Sequence, residues 1–264
     1  MLLSIITINR NNAPGLQKTL ESIKLQSSHN FEWIVIDGAS TDESVALIEN
    51  NLQYISYRIS EPDQGIYSAM NKGVLAARGE YLLFLNSGDY FADRQIVDYF
   101  DKNHEPTDFV VGEVVVEGEE RKRKKGWTSP SPEEEVFNLC VSAFPHQAMF
   151  IRRDVFNQYG LYREDKRIAS DWYHTTNALI KGTASVSHLP ILVSICEKGG
   201  ISARFSREMY QERKDLIREN PYFAVLFEFY SNNREIVTAL KSNSFVFFLF
   251  RVYFYFYRKL KAPF

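Results

Sequence analysis

The chain has 264 residues, of which 45% are hydrophobic and 24% charged, with a net charge of −2 at pH 7. That length supports one large domain with a substantial core, or a domain and a tail. The near-neutral balance excludes a polycation that would hold nucleic acid by bulk charge.

The N-terminal residues 2–8 form an apolar run of strand length with no cationic segment before it, so no signal peptide is expected. Pro14-Gly15 opens a helical pattern with Leu16, Leu20 and Ile23 on one face. Residues 31–36 read as the next strand, ending at Asp37-Gly38, and Ser40 or Thr41 is placed to cap a helix running through Val45 and Ile48. Residues 54–59 read as a third strand, 67–77 as a helix ending near Gly73, and 81–85 as a fourth, wholly apolar strand. Strands alternating with helices predict an α/β domain with a mostly parallel sheet covered on both faces.

Beyond Asp108 the pattern predicts strands over 109–116, 144–152, 184–188 and 191–196, and helices over 153–159 and 170–181. Residues 1–220 are expected to form one domain, divided near 105, whose second half completes the sheet and builds the second wall of a cleft. Residues 221–264 are expected to form a helical, aromatic-rich tail. The cysteines, Cys140 and Cys196, form no metal-ligand or redox pair, which fits a reducing cytoplasmic location. No stretch of ~18 apolar residues is present, so no spanning helix is expected.

In parallel sheets of this kind, ligands bind beyond the carboxyl ends of the strands. Those ends carry Thr7-Ile8-Asn9-Arg10, Asp37-Gly38, Ser60-Glu61-Pro62-Asp63 and Asn86-Ser87-Gly88-Asp89. Four polar clusters are therefore expected to converge. A carboxylate at Asp37 can accept from a nucleobase imide or a ribose hydroxyl, or can cap the next helix across a tight turn. Asp89 can hold a hard divalent cation against a leaving diphosphate, and the same tetrapeptide also suits a plain turn. In the stretch 63–73, the helix start can meet an anion, and Asn71 and Lys72 fall one turn in, on a face that can equally be solvated.

The ordered set Thr7-Ile8-Asn9, Asp37-Gly38-Ala39-Ser40-Thr41-Asp42, the segment 63–73 and Asn86-Ser87-Gly88-Asp89 resembles the family 2 glycosyltransferases. The likeness is greatest to bacterial enzymes of exopolysaccharide and lipid-linked oligosaccharide assembly. It spans residues 1 to about 200. It implies the GT-A fold, an inverting transfer from a UDP-sugar to a glycan or lipid-linked acceptor, and an Mn²⁺ or Mg²⁺ cofactor. It also implies that residues 1–105 bind the nucleotide-sugar and 106–220 the acceptor, and it implies roles for single residues. Thr7, Asn9 and Asp37 would contact the nucleotide, and Asp63, Asn71 and Lys72 would line the diphosphate and sugar. Asn86, Ser87 and Asp89 match the metal-binding region, with Asp89 the remaining carboxylate where the usual pattern has more. Pro145-His146-Gln147-Ala148 and Ala169-Ser170-Asp171-Trp172 resemble acceptor-side motifs. Asp171 would be the catalytic base, and His146 would touch acceptor or phosphate. Without the resemblance, Asp171 is an acidic residue favoured by a helix N-terminus, and His146 suits a core position.

The basic run 121–125 is either a solvated hairpin tip or a contact to anionic lipid or phosphate. The apolar stretch 245–257, broken by Arg251, is too short to span. It would lie in a membrane interface or pack on protein, which allows a peripheral place on the inner face of the plasma membrane. Gly199-Gly200-Ile201-Ser202 is either a closing loop or an ordinary turn. A dinucleotide-binding oxidoreductase is excluded because Asn9-Arg10-Asn11-Asn12-Ala13-Pro14-Gly15 stands where a glycine-rich phosphate loop belongs. A membrane-associated partner that keeps the fold without catalysis would bind donor and not turn it over.

Overall fold

The computed structural model describes residues 2–118, 143–180, 184–198 and 206–220, together with Ala224. The basic run, the 199–202 loop, Cys140 and the 245–257 tail lie outside the described residues.

The chain begins with β1 (Leu3–Asn9), α1 (Ala13–Lys24), β2 (Phe31–Asp37), α2 (Ser44–Glu49), β3 (Tyr57–Ser60), α3 (Ile66–Ala76) and β4 (Tyr81–Phe84). It continues with β5 (Tyr90–Phe91), α4 (Ile96–Asn103), β6 (Phe109–Val116), β7 (Met149–Arg152), α5 (Arg153–Tyr159), α6 (Ser170–Ile180), β8 (Val186–Cys196) and α7 (Ser206–Glu219). The eight strands form one sheet in the order β3-β2-β1-β4-β7-β6-β8-β5. β1, β2, β3 and β4 are mutually parallel, β6 and β8 are parallel, and β7 runs antiparallel to both of its neighbours.

Alternation along each strand builds two cores. Ile5, Trp33, Val35 and Leu83 face Leu16, Leu20 and Ile23 of α1 and Phe100 of α4. Ile6, Ile34, Ile36 and Phe84 face Met70 and Val74 of α3, Val155 of α5 and Leu179 of α6. A sheet covered on both faces explains strands that are apolar throughout. Gly73 does not end α3. The helix runs on to Ala76, and a Cβ at Gly73 would lie 2.4 Å from Ile6 Cγ2. The glycine lets α3 sit close on β1.

Several boundaries differ from the pattern. Residues 144–152 are not one strand: a 3-10 turn over His146–Ala148 precedes β7, closed by Ala148 N–H donating to the Pro145 carbonyl. The expected strands 184–188 and 191–196 are a single strand. Its register against β6 shifts beside Glu113, opposite the stretch that holds Pro190, which has no N–H for a ladder. A 3-10 turn at Leu52–Tyr54 delays β3. The cap of α2 is not made by Ser40 or Thr41: Ser44 N–H donates to Asp42 Oδ1 at 3.0 Å, and the Ser40 hydroxyl is turned to Asp37. α4 and β5 had no counterpart in the sequence pattern.

α7 docks on the start of α6. Leu216 and Ile217 pack with Ala169 and Trp172. The Glu212 carboxylate accepts the backbone N–H groups of Arg167, Ile168 and Ala169 at 2.7, 2.8 and 3.0 Å.

Candidate active site

The parallel register brings Asn9 opposite Asp37, and Asp37 opposite Ser60, at the carboxyl edge of the sheet. The turn after β4 opens on the same edge, with Ser87 N–H donating to the Ile8 carbonyl.

That turn is held from below by Thr19 of α1, whose hydroxyl donates to the Asp89 carbonyl at 2.7 Å and accepts from Gly88 N–H at 3.1 Å. Gly88 has φ 102°, a conformation that suits glycine. A Cβ there would meet Glu197 Oε2 at 2.5 Å, so the Glu197 carboxylate lies over the turn. Asp89 is buried. Burial pushes its carboxyl up to about 6, opposed by the His146 charge, a Gln147 side-chain hydrogen bond and the Glu197 backbone.

His146 links this turn to α6. Its Nε2 lies 3.1 Å from Asn86 Nδ2, and its Nδ1 faces Asp171 Oδ2 at 3.5 Å. Burial lowers the His146 pKa, but Asp171 and the Asp89 charge outweigh it, leaving the imidazole above its ordinary value. Asp171 Oδ1 accepts the Tyr67 hydroxyl and the Trp172 N–H, both at 2.8 Å. Burial pushes the Asp171 carboxyl up, and His146, Tyr67 and Trp172 together hold it below its ordinary value. It is therefore an ionised carboxylate at neutral pH. Oδ1 is filled by two donors, and Oδ2 keeps capacity for a further one. The side chain remains 18% exposed.

The other half of the edge is more closed. The Asp37 carboxylate accepts from Asn9 Nδ2, Ser40 N–H, Ser40 Oγ and Ser60 Oγ at 2.8, 2.9, 2.5 and 2.6 Å. Burial opposes its ionisation, and these donors overcome that, so its pKa is lowered. Asn9 Oδ1 is buried without a partner. Asp63 lies above Gly38, where an added Cβ would stand 2.9 Å from its Oδ2. Lys72 bridges Asp63 and Glu61 at 2.6 and 2.8 Å. Thus Asp63 lies between Gly38 and Lys72.

The structure groups Asn86, Asp89, His146 and Asp171 into one cluster, with the Ser87 carbonyl fixed beside it by Asn12 Nδ2 at 3.1 Å. Two expected donor contacts are placed otherwise. Thr7 is fully buried, donating to the Leu85 carbonyl at 2.8 Å and accepting from Trp33 Nε1 at 2.9 Å. Asn71 is buried and spends its amide on Tyr162 N–H, the Tyr162 carbonyl and Glu164. Neither presents a free side-chain atom to a ligand, and Asp37, fully buried with four donors, presents none either. Sequence reasoning passed over Tyr67, Gln147 and Glu197. Gln147 carried a signal, its place in the motif with His146. Tyr67 reads from the pattern only as an apolar helix residue.

Among the described residues no group of three or more His, Cys, Asp and Glu could hold a metal ion. A hard cation shared with phosphates needs only one or two carboxylates. Among the described residues Asp89 is a buried acid in no ion pair, Glu197 lies beside it, and Asn86 Oδ1 is a buried oxygen with no partner. This all-oxygen donor set fits Mg²⁺ or Mn²⁺.

Residues 4–160 match the family described as glycosyl transferase family 2. The chain belongs to that family. It is 33% identical over 211 residues to the PGL/p-HBAD biosynthesis glycosyltransferase of Mycobacterium bovis, covering 76% of this chain and 79% of the relative. An uncharacterized glycosyltransferase of Haemophilus influenzae is 32% identical over 109 residues, covering 39% of this chain and 44% of the relative. Among solved structures, S. aureus TarS 1-349 superposes with a TM-score of 0.64 at 19% identity, covering 86% of this chain. The chain spans 65% of that TarS chain. The mannosyltransferase PcManGT of Pyrobaculum calidifontis, in complex with GDP-Man and Mn²⁺, superposes with a TM-score of 0.60 at 18% identity, covering 86% of this chain and 68% of its own. These likenesses establish the GT-A type of fold for this family 2 chain.

Proposed function

We propose that this family 2 chain is an inverting glycosyltransferase that moves a sugar from a UDP-sugar to a hydroxyl of a glycan or lipid-linked acceptor. One observation carries the reading. Asp171 is an ionised, partly exposed carboxylate with one oxygen available, joined through His146 to the Asn86–Asp89 turn at the carboxyl edge of the sheet. TarS has been solved in complex with UDP and with UDP-GlcNAc, which supports the donor class. The mycobacterial relative is named a glycosyltransferase of PGL/p-HBAD biosynthesis, which supports a biosynthetic transfer.

In this mechanism the acceptor hydroxyl meets Asp171 Oδ2. Its proton passes to that oxygen as the acceptor oxygen bonds to the anomeric carbon. The bond from that carbon to the donor's diphosphate oxygen breaks, and the electron pair leaves with UDP. A single displacement inverts the anomeric configuration. Tyr67 and the Trp172 N–H keep Oδ1 occupied, so the proton is taken at Oδ2. His146, with Nδ1 toward Asp171, holds the carboxylate in its charged form. Asp89, with Asn86 Oδ1 and Glu197 beside it, would hold a divalent cation. Such a cation supplies Lewis-acid neutralisation of the diphosphate charge. Asp63 and Lys72 form the wall for the nucleotide end, with Asn9 and Asp37 buried beneath it, and Ser87 flanks the turn.

The same reading takes residues 1–220 as the transferase unit and 221–264 as a tail that places the protein at the cytoplasmic face of the membrane. No described helix is long and apolar enough to cross a membrane. The test is calorimetric titration with UDP, UDP-sugars and GDP-mannose, with and without Mn²⁺, followed by NMR of the product linkage. Cation-dependent binding of a UDP-sugar and an inverted product are expected. A retained configuration would refute the displacement. Donor binding with no turnover by the full chain on any glycan or lipid-linked acceptor would identify a non-catalytic partner instead.

A further inference from the structure

Arg213 on α7 is a half-buried guanidinium whose Nε is buried and meets no acceptor. Its charged carbon lies 4.8 Å from the centroid of the Trp172 ring, next in the chain to Asp171. Of the other cations around this helix, Arg207 is exposed, Lys214 lies over the Tyr210 ring at 4.6 Å, and the rest pair with carboxylates. Arg163 pairs with Asp165 and Glu219, Lys166 lies 3.3 Å from Asp165, Arg167 pairs with Glu208, and Arg218 with Asp215. Glu212, one residue before Arg213, is committed to backbone N–H groups. Among the described residues Arg213 makes no hydrogen bond or ion pair. Burial pulls its pKa down, against the opposing pull of the Asp171 charge. A desolvated cation is retained in a fold when an anion meets it. A guanidinium stacked on an aromatic face presents its remaining N–H groups as a fork suited to a bidentate oxyanion.

We propose that Arg213 anchors an acceptor subsite for an oxyanion, a phosphate or carboxylate group carried by the acceptor close to the hydroxyl that Asp171 activates. The inference rests on the reading of Asp171 as the base. A donor diphosphate has the same chemistry, but the geometry assigns Arg213 to the other end. Arg213 stacks on Trp172, next in the chain to Asp171, whereas Asp89 and Glu197 belong to the turn that His146 Nε2 meets at Asn86 on its other side. In an inverting displacement the hydroxyl enters on the face opposite the leaving diphosphate. A cation on the base's side therefore meets the acceptor.

The test follows the Arg213 Nε–H resonance of the full-length protein by NMR, assigned by its disappearance in R213K. Methyl phosphate and acetate are titrated in turn, with UDP and Mg²⁺ held at saturation. One of them is expected to move that resonance while UDP stays bound. R213Q is expected to weaken that anion about tenfold or more, in line with one charge-assisted contact, and to leave UDP affinity within about twofold. Circular dichroism checks that each variant is folded, and R213K, which keeps the charge, should bind the anion between wild type and R213Q. Three results would overturn the subsite: neither anion perturbs a protein that binds UDP, the anion displaces UDP, or R213Q weakens UDP as much as the anion. A wild-type protein that binds no UDP would instead overturn the transferase reading.

Discussion

Tyr67 of α3 donates its hydroxyl to Asp171 Oδ1 at 2.8 Å, joining the first, parallel half of the sheet to the helix that carries the proposed base. Burial and the Asp171 charge raise the Tyr67 pKa well above its ordinary value, so it remains a donor across the working range. Removing that donor with Y67F takes away one of the interactions that lower the Asp171 pKa. The acid limb of the pH dependence of kcat/KM is expected to move to higher pH, because the base then protonates sooner. An unmoved limb would separate Tyr67 from the base.

Asp171→Asn keeps the shape and removes the proton acceptor. Turnover is expected to fall by about 10²–10⁴, with the dissociation constant for UDP, measured calorimetrically, changed by less than about twofold. Near-normal turnover would remove Asp171 from the chemistry.

Asp89 links pH to cation binding. Its folded pKa, about 6, lies above the ordinary carboxylate value. The folded chain therefore holds that proton more tightly than the unfolded chain, and stability falls as pH rises through the window between the two values. A cation needs the carboxylate, so its affinity falls about tenfold per unit as pH drops below about 6. Mn²⁺ titrations at pH 7.5 and 5 should show that loss in the wild type, and D89N should bind weakly at both.

Glu212 gathers three backbone N–H groups just ahead of Asp171. E212A leaves those donors without their carboxylate and is expected to cost about 1–3 kcal/mol of stability, read by denaturant unfolding. Because the loop it fixes leads into Asp171, kcat should fall more than the donor KM rises. Equal effects on both would mean that α7 supports the fold and not the base.

Gly88 has φ 102° beneath Glu197. G88A forces a side chain into a left-handed backbone, at a cost of about 1 kcal/mol or more. Glu197 is exposed and can swing away, so the backbone sets the effect. Cation affinity should fall with it, since the turn positions Asp89. An unchanged affinity would detach the turn's conformation from cation binding.

The sequence by itself determined the alternation of strands and helices in the first hundred residues and the polar clusters at the strand ends. Period and turn chemistry are local, and a parallel sheet buried on both faces writes them plainly as apolar runs. Four ordered motifs also pointed to the family. What stood beyond local pattern was decided by the tertiary structure. Thr7 and Asn71 look like ligand contacts in the chain, yet β1 carries Thr7 into the core beside Trp33, and α3 turns Asn71 onto the Tyr162 segment. The His146–Asp171 pairing joins residues from a 3-10 turn and a helix start. Tyr67 reaches Asp171 from 104 residues away, and Arg213 reaches the adjoining Trp172 from a helix that no motif marked. Such meetings depend on how α3, α6 and α7 pack on the sheet and on which polar atoms burial leaves unpaired. Neither is encoded in the spacing of residues along the chain.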